Sequence, residues 1–269
     1  MIKNLSCIFI ATMFICDVPF AYAQPLEDDY LLVFSDEFNQ PNGSQPDSTK
    51  WNRHNRYEGT WSRWISNSTK VVYIKNGCLV CRAIPNKSEV TDSASMLTGA
   101  INSLGKFSFQ YGKVEVRMKT NLKRGNFPAV WMRPADNTDS RYGEIDIVEM
   151  FGNQRKAHHT VHTHRSYTLE KKDIKNTFEE NIDIRKWHIY GVEWTKDVIR
   201  WTLDGKVTGE YNRINSPEMN QEGQWTFDRP FFLILNQSVG NGSAPHFIPN
   251  TKQVYETQFD WIRVYQKKK

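Results

Sequence analysis

The sequence GEIDIVEM at residues 143–150 places three carboxylates inside a stretch of strand-forming residues. Ile and Val favour β-strands, in which alternate side chains point to the same face. Strict alternation would put Glu144 and Asp146 on one face and turn Glu149 toward the apolar face, where an unpaired carboxylate is costly. One extra residue between Asp146 and Glu149, a β-bulge, would return Glu149 to the face of the other acids. The spacing therefore predicts a bulged strand with three acids on one surface, which favours acid/base and nucleophilic chemistry.

The first 23 residues are typical of a cleavable signal peptide. Lys3 precedes an apolar stretch at residues 7–15, and Ala21-Tyr22-Ala23 matches an A-x-A cleavage site. The stretch is too short to span a membrane. We expect export to the periplasm or the medium, with a lipid anchor at Cys16 as the less favoured alternative because the residues before it fit a lipobox poorly.

Residues 24–269 are long enough for a single large β domain, and no low-complexity linker divides them. The net charge of +5 is modest and shows no basic stripe with interleaved aromatics, which argues against nucleic acid as a partner. No later segment resembles a transmembrane helix, and we expect a monomer. Cys78 and Cys81 would point to opposite faces of a strand about 10 Å apart, too far for a disulfide, so we expect two buried or half-buried thiols.

The pattern along the chain is all-β. Asn76-Gly77 and Asp204-Gly205 each lie between two strand-forming runs and predict hairpins. Residues 111–119 alternate apolar and polar side chains, as a half-exposed strand does. Further strands are predicted at 127–132, 144–150, 158–164, 187–194, 231–237 and 257–265, with a short helix near 215–222. Many short strands separated by turns predict a sandwich of two sheets.

Several blocks of sequence occur together in an order typical of one enzyme family. They are SDEF at 35–38, YGKVEVR at 111–117, PAVWM at 128–132, the acidic strand, TVHT at 160–163, WHIYGVEW at 187–194 and FDWIRVY at 259–265. With these blocks the chain resembles glycoside hydrolase family sixteen, the laminarinases, lichenases, agarases and carrageenases. The resemblance implies a concanavalin-like β-jelly-roll of two antiparallel sheets with an open cleft, and the bulged E-x-D-x-x-E form of the acidic strand. It implies no cofactor for catalysis.

The resemblance also implies a retaining mechanism. Glu144 would be the nucleophile, Glu149 the acid/base, and Asp146 would hydrogen-bond and orient Glu144. With the bulge, the two glutamates stand four strand steps apart, about 13 Å between Cα atoms, and side chains that lean inward can approach the separation of about 5.5 Å that a retaining pair needs. The acid/base needs a raised pKa to hold its proton near neutral pH. The alternative is a surface strand with solvated acids.

Aromatic and histidine side chains are candidates for substrate binding. The resemblance places Trp131 on the cleft floor, although a core tryptophan is the alternative. Trp61 and Trp64 lie in a predicted loop that could bind sugar or simply anchor the loop. The resemblance also places His162 in the cleft, and His164 would share its face on a strand. The two could extend substrate contacts or, alternatively, hold a metal ion for a different kind of hydrolase.

Two further sets complete the candidate residues. Asn236 and Gln237 resemble a cleft-edge segment of the family, and their amides suit sugar hydroxyls, although such segments also form turns. Glu37, Gly77 and Asp260 match positions that hold a structural calcium ion in many relatives. The alternative for the two carboxylates is ordinary hydrogen bonding.

The chain departs from glucan-cleaving relatives at three places that affect substrate choice. Phe127 stands where these relatives usually have Trp, residues 243–246 lack another usual Trp, and residues 56–61 replace an Asn-rich loop. We therefore weigh a galactose-containing chain of the poly-lactosamine, keratan or mucin type, cleaved at β-1,4 or β-1,3 linkages, slightly above a β-1,3 or mixed-linkage glucan. A non-catalytic carbohydrate-binding module on the same sandwich is the non-enzyme alternative.

Overall fold

The computed structural model describes residues 29–87, 92–136, 138–240 and 247–268. Within them the chain forms fifteen strands, one α-helix and one turn of π-helix. The strands are β1 (Tyr30–Asp36), β2 (Asn52–Arg53), β3 (Val72–Lys75), β4 (Cys78–Pro85), β5 (Met96–Asn102), β6 (Gly112–Thr120), β7 (Asn126–Pro134), β8 (Gly143–Glu149), β9 (Lys156–Thr163), β10 (Thr177–Asn181), β11 (His188–Trp194), β12 (Val198–Leu203), β13 (Lys206–Asn212), β14 (Phe231–Val239) and β15 (Tyr255–Lys267). The π-helix is His164–Thr168 and the α-helix, α1, is Pro217–Gln221.

The strands form two antiparallel layers. Neighbouring strands follow the order β10-β9-β8-β7-β14-β5-β4-β15-β6-β11-β12-β13, with β1 on β15, β2 on β5 and β3 on β4. The pairing passes from one layer to the other where β5 pairs with β4. One layer contains β10, β9, β8, β7, β14 and β5, and the other contains β4, β15, β6, β11, β12 and β13. This all-β architecture confirms the predicted jelly-roll sandwich.

One large apolar core lies between the two layers. Alternation within the strands turns one set of side chains inward. In β6 every second residue is buried, while the charged residues between them face outward. Ile145 and Val148 of β8 share this core with Trp194 and Trp201 of the opposite layer, and all four are almost completely buried. The acidic strand therefore has one face packed against the second layer and the other free for chemistry.

Both predicted hairpins are present. Asn76 and Gly77 have φ values of 53° and 69°, and Asp204 and Gly205 have 49° and 80°. Two consecutive positive φ values are the mark of a type I′ turn, whose twist matches that of the flanking strands. The turns join β3 to β4 and β12 to β13.

The predicted short helix is confirmed by α1, where Ser216 caps the N-terminus by accepting a hydrogen bond from the amide of Met219. The strand predicted at 158–164 begins two residues late and ends one residue late, because β9 runs from Lys156 to Thr163. Thr163 and Ser166 cap each other reciprocally and draw the chain into the π-helix from residue 164 onward. His162 and His164 therefore do not share a strand face, and the prediction that they do is wrong.

Cys78 and Cys81 are free, buried thiols, as predicted. Burial raises the pKa of Cys81 to about 12. The predicted signal peptide and Cys16 lie outside the described residues. Among the described residues, no helix has the length and apolar character needed to cross a membrane.

Candidate active site

The predicted bulge is present in β8. The register with β7 skips one residue between Asp146 and Val148, and the register with β9 slips between Asp146 and Glu149. Ile147 is therefore the extra residue. Because of it, Glu149 returns to the face of Glu144 and Asp146, away from the apolar core.

Two buried side chains hold the backbone at the bulge. A bulge removes carbonyl groups from the regular ladder, and such groups need other partners when buried. Nε1 of Trp201, on β12 of the opposite layer, donates to the carbonyl of Asp146 at 2.8 Å. Nδ1 of His159 lies 2.6 Å from the carbonyl of Ile147, and because a carbonyl only accepts, Nδ1 carries the proton. Burial lowers the pKa of His159 to about 4, so its ring is neutral near neutral pH.

The environment of the three acids changes their proton affinities. The side chain of Glu144 is 14% exposed, that of Asp146 is 2% exposed and Glu149 is half-buried. Burial first, and then the charges of Asp146 and Glu144, raise the pKa of Glu149 well above its ordinary value. Burial and the charge of Glu144 raise the pKa of Asp146 in the same way, against the opposing effect of Arg133. Glu149 thus keeps its proton where an ordinary glutamate has lost it, as a general acid must.

A tyrosine that the sequence reasoning missed orients Glu144. The hydroxyl of Tyr142 donates to Oε2 of Glu144 at 2.7 Å. The prediction gave this hydrogen bond to Asp146, but Oδ2 of Asp146 forms none within the described part of the chain. The side chain of Asp146 is instead almost completely buried, and its Oδ2 is 3.3 Å from Nε2 of His162. Tyr142 is two residues before Glu144, so the alternation of a strand could have placed it beside that glutamate.

His162 stands next to the acids, opposite Glu144 on β9. Its Nε2 is 3.8 Å from Oε1 of Glu144. One ligand atom from each of Glu144, Asp146 and His162 lies within 4.8 Å of the others, so these groups could hold a metal ion. His164 is not part of this group, because its Cβ lies against Gly223 in the turn after α1.

The three candidate tryptophans occupy different places. Trp131 is 5% exposed and lies on the cleft face, where its Nε1 donates to Oδ1 of Asn236 at 2.8 Å. Trp61 meets the ring of Trp131 edge-on, with centroids 4.9 Å apart. Trp64 packs instead against a separate buried cluster that includes Tyr255. Trp131 and Trp61 are therefore brought together, and Trp64 anchors its loop elsewhere.

The adjacent amides of β14 point to opposite faces. Asn236 shares the face of Trp131 and acts on it through the hydrogen bond described above. Gln237 is completely buried: its amide donates to Oδ1 of Asn126 at 2.8 Å, and its Oε1 accepts from the hydroxyl of Thr257 at 2.6 Å. The prediction that Gln237 contacts substrate is therefore wrong, because strand alternation turns it into the core. Residues 241–246, which contain the segment 243–246 without the tryptophan usual in glucan-cleaving relatives, lie outside the described residues.

The candidate calcium residues have other partners. Glu37 forms a two-pronged ion pair with Arg263 at 2.9 Å, and Asp260 is paired with Arg117. Gly77 lies in the β3–β4 turn. These contacts correspond to the hydrogen-bonded alternative, and calcium at these residues stays a prediction.

Comparison with known proteins agrees with this fold. The family model described as Glycosyl hydrolases family 16 matches residues 57–261, and the chain therefore belongs to that family, whose members are glycoside hydrolases. The chain is 34% identical over 248 residues to the keratan-sulfate endo-1,4-β-galactosidase of Sphingobacterium multivorum. That match covers 88% of this chain but 56% of the relative, so the chain spans about half the length of this relative.

Two solved structures are also similar. The non-specific endo-β-1,3(4)-glucanase SCLam has a TM-score of 0.78 and 27% identity, over 90% of this chain and 93% of that one. A structure described with endo-acting O-glycanases of the human gut microbiota that initiate mucin breakdown has a TM-score of 0.74 and 27% identity, over 87% and 98% of the two chains.

The hydrogen bond from Trp201 to the bulge predicts a measurable stability difference between two buried tryptophans. Trp201→Phe leaves the carbonyl of Asp146 unsatisfied and should lower the free energy of unfolding in urea by about 1–3 kcal/mol beyond the packing loss. Trp194→Phe is the matched control, because Nε1 of Trp194 is buried without a hydrogen-bond partner. Equal losses for the two variants would show that the bond does not stabilise the bulge.

The raised pKa of Glu149 predicts a pH-dependent gain from its replacement. Above the ordinary pKa the unfolded carboxyl ionises while the folded one stays protonated, so the folded state loses relative stability as pH rises through this window. Glu149→Gln should therefore raise Tm at pH 7, by about 2–4 °C for each kcal/mol, and leave it nearly unchanged at about pH 3.5. The exposed Glu210→Gln is the control. An unchanged or lower Tm for Glu149→Gln at pH 7 would contradict the proposed protonation.

The charge of Asp146 predicts a shift in the pH profile. Because Asp146 raises the pKa of Glu149, Asp146→Asn should move the basic limb of kcat/KM toward lower pH. The limb should stay above the pH of an ordinary glutamate, since burial is the larger cause. The basic limb is measured from the rate of hydrolysis of a β-glycan over a pH series. A limb that does not move would show that Asp146 does not affect the pKa of Glu149.

Proposed function

We propose that the protein is a retaining endo-β-glycosidase that cleaves β-1,4 or β-1,3 linkages inside a galactose-containing glycan of the poly-lactosamine, keratan or mucin O-glycan type. One observation carries the proposal. The bulge places Glu144 and Glu149 on one face of β8, where Glu149 has a raised pKa and Glu144 is held by Tyr142. Two carboxyl groups with unlike proton affinities suit the separate roles of nucleophile and acid/base in double displacement.

The spacing on β8 fits the retaining reaction. Glu144 pairs with His162 and Glu149 pairs with His158, four strand steps along β9, or about 13 Å between Cα atoms. Side chains that lean inward from these positions can flank one glycosidic bond. In the first step Glu144 attacks the anomeric carbon, the bond to the leaving oxygen breaks, and Glu149 gives that oxygen its proton. In the second step Glu149 takes a proton from water as the water oxygen attacks the anomeric carbon, and the bond between that carbon and Glu144 breaks.

The remaining cleft residues would serve binding. Trp131, steadied by Asn236 and flanked by Trp61, offers an apolar surface to a sugar ring. His162, whose Nε2 is 3.8 Å from Oε1 of Glu144, would contact the bound sugar. The Tyr142 hydroxyl, which donates to Oε2 of Glu144, would keep that carboxylate aligned for attack.

The names of the similar proteins support two substrate classes. The keratan-sulfate endo-1,4-β-galactosidase and the mucin O-glycanase structure favour the galactose-containing chain. The SCLam glucanase favours the alternative, a β-1,3 or mixed-linkage glucan. Phe127 stands where glucan-cleaving relatives usually have a tryptophan that stacks on glucose. This difference supports the galactose-containing chain, because it alters the surface that would bind a glucan.

Three further features belong to the proposal. The N-terminal sequence supports export through a cleavable signal peptide, and the protein would act as a monomer in the periplasm or the medium. A calcium ion at Glu37, Gly77 and Asp260 would have to displace the arginine partners of both carboxylates. The alternative of a metal-dependent hydrolase rests on the Glu144, Asp146 and His162 group, and full activity in a strong chelator would rule it out.

Replacement of Glu144 tests the proposed reaction. Glu144→Gln should lower kcat on the order of a thousandfold or more, while Glu210→Gln, an exposed glutamate on β13, keeps wild-type activity. The substrates are keratan sulfate, mucin O-glycans, agarose, laminarin and mixed-linkage glucan. NMR of the first product should show a retained anomer.

The possible outcomes separate the alternatives. An inverted first product would contradict the pairing of Glu144 with Glu149. Wild type and Glu144→Gln that bind these glycans but are equally inert on all of them would establish a carbohydrate-binding protein instead. Cleavage confined to laminarin and mixed-linkage glucan would replace the galactose-containing substrate with the glucan.

A further inference from the structure

Arg133 has unused hydrogen-bonding capacity in the cleft. It lies on β7 opposite Phe232, on the same face as Trp131. Its guanidinium stacks over the ring of Tyr142 at 4.8 Å, and Nη1 is 3.9 Å from Oε2 of Glu144. Nε is buried without a hydrogen-bond partner. The side chain is still 37% exposed, so a ligand can reach it.

A cavity of about 250 Å³ adjoins this guanidinium. Its walls include Trp131, Tyr57 and Phe232, while Asn102 and His54 add polar groups. The volume approaches the lower end of small-molecule sites, about 300 Å³. Aromatic walls with a few polar groups suit a sugar ring, whose faces are apolar and whose edge carries hydroxyls.

The charges around the cavity favour an anion. Among its described lining residues, Arg133 is the only one with a full charge. Burial, and to a lesser extent the charge of Arg133, lowers the pKa of His54, which keeps that ring neutral. The nearby Glu144 already accepts a hydrogen bond from the hydroxyl of Tyr142, and its Oε2 is 3.9 Å from Nη1 of Arg133, too far for a hydrogen bond between the two. A second anion would therefore meet a guanidinium with donors to spare.

We propose that this cavity is a subsite for a sugar with an anionic substituent, a sulfate ester or a carboxylate, recognised by Arg133. The inference rests on the proposed function, since the sugar would belong to the chain that Glu144 attacks. The planar guanidinium offers paired N–H donors to such oxygens, and hydrogen bonds of this charged kind are about twice as strong as neutral ones. A neutral chain that covers Arg133 would desolvate its donors without replacing them, which weakens its binding.

Matched substrates test the subsite. We compare kcat/KM on keratan sulfate, on the same chain after chemical desulfation, and on a sialylated poly-lactosamine. Wild type should prefer an anionic chain, and Arg133→Met should reduce that preference about tenfold or more. Arg133→Lys, which keeps the charge without the fork, should fall between the two. Arg185→Met is the control, because it removes an equal charge from an exposed ion pair with Asp183 and should keep the preference.

The outcomes distinguish the subsite from a role on Glu144. Equal losses of kcat/KM on the sulfated and desulfated chains would show that Arg133 acts only on Glu144, and would overturn the subsite. A wild-type preference for desulfated chains or for laminarin would overturn it as well. Preference for the sulfated or for the sialylated chain identifies which anion is recognised. Thermal unfolding of each variant checks that the fold is retained.

Failure of the proposed function has a different signature. If wild type cleaves none of these chains, calorimetric binding of the same sulfated and desulfated chains to wild type and Arg133→Met decides the matter. If wild type binds the sulfated chain more tightly than the desulfated one and Arg133→Met loses this difference, the subsite is supported in a protein that binds glycans without cleaving them. Binding without such a preference overturns it.

Discussion

The cost of burying a carboxylate governs the active site of this chain. Without Ile147 as an extra residue, Glu149 would enter the apolar core between the layers. The bulge removes that cost, but it takes backbone carbonyls out of the ladder. Trp201 and His159 satisfy two of them from within the core. The reactive face is therefore maintained by hydrogen bonds on the opposite face of the same strand.

The parts of the site that follow from strand alternation were predictable from the sequence. The phase of the three acids demanded the bulge, and the Asn-Gly and Asp-Gly pairs marked both hairpins. Contacts that depend on tertiary packing were not predictable. His164 leaves its strand because Thr163 and Ser166 cap each other, and the groups that satisfy the buried amide of Gln237, Asn126 and Thr257, come from other strands of the sandwich.

The roles of Tyr142 and Arg133 show where such reasoning stops. Tyr142 obeys the alternation that identified Glu144 and could have been found from it. Arg133 follows the same rule, but its meaning depends on the cavity formed by the segment around Tyr57 and by β14, which are distant in sequence. Long-range assembly thus turns an ordinary cationic residue of one strand into a candidate specificity determinant. The acidic strand defines the reaction, and its neighbours across the sheet select the sugar.

The bond from Trp201 to the backbone of Asp146 crosses from one layer of the sandwich to the other. Catalytic alignment therefore depends on the spacing between the layers as well as on the cleft itself. A small separation of the layers on warming would loosen the bulge while most of the sheet hydrogen bonds remained intact. Heat inactivation would then precede the loss of secondary structure, and the interior behind the active site would be the place to strengthen in a more heat-tolerant enzyme.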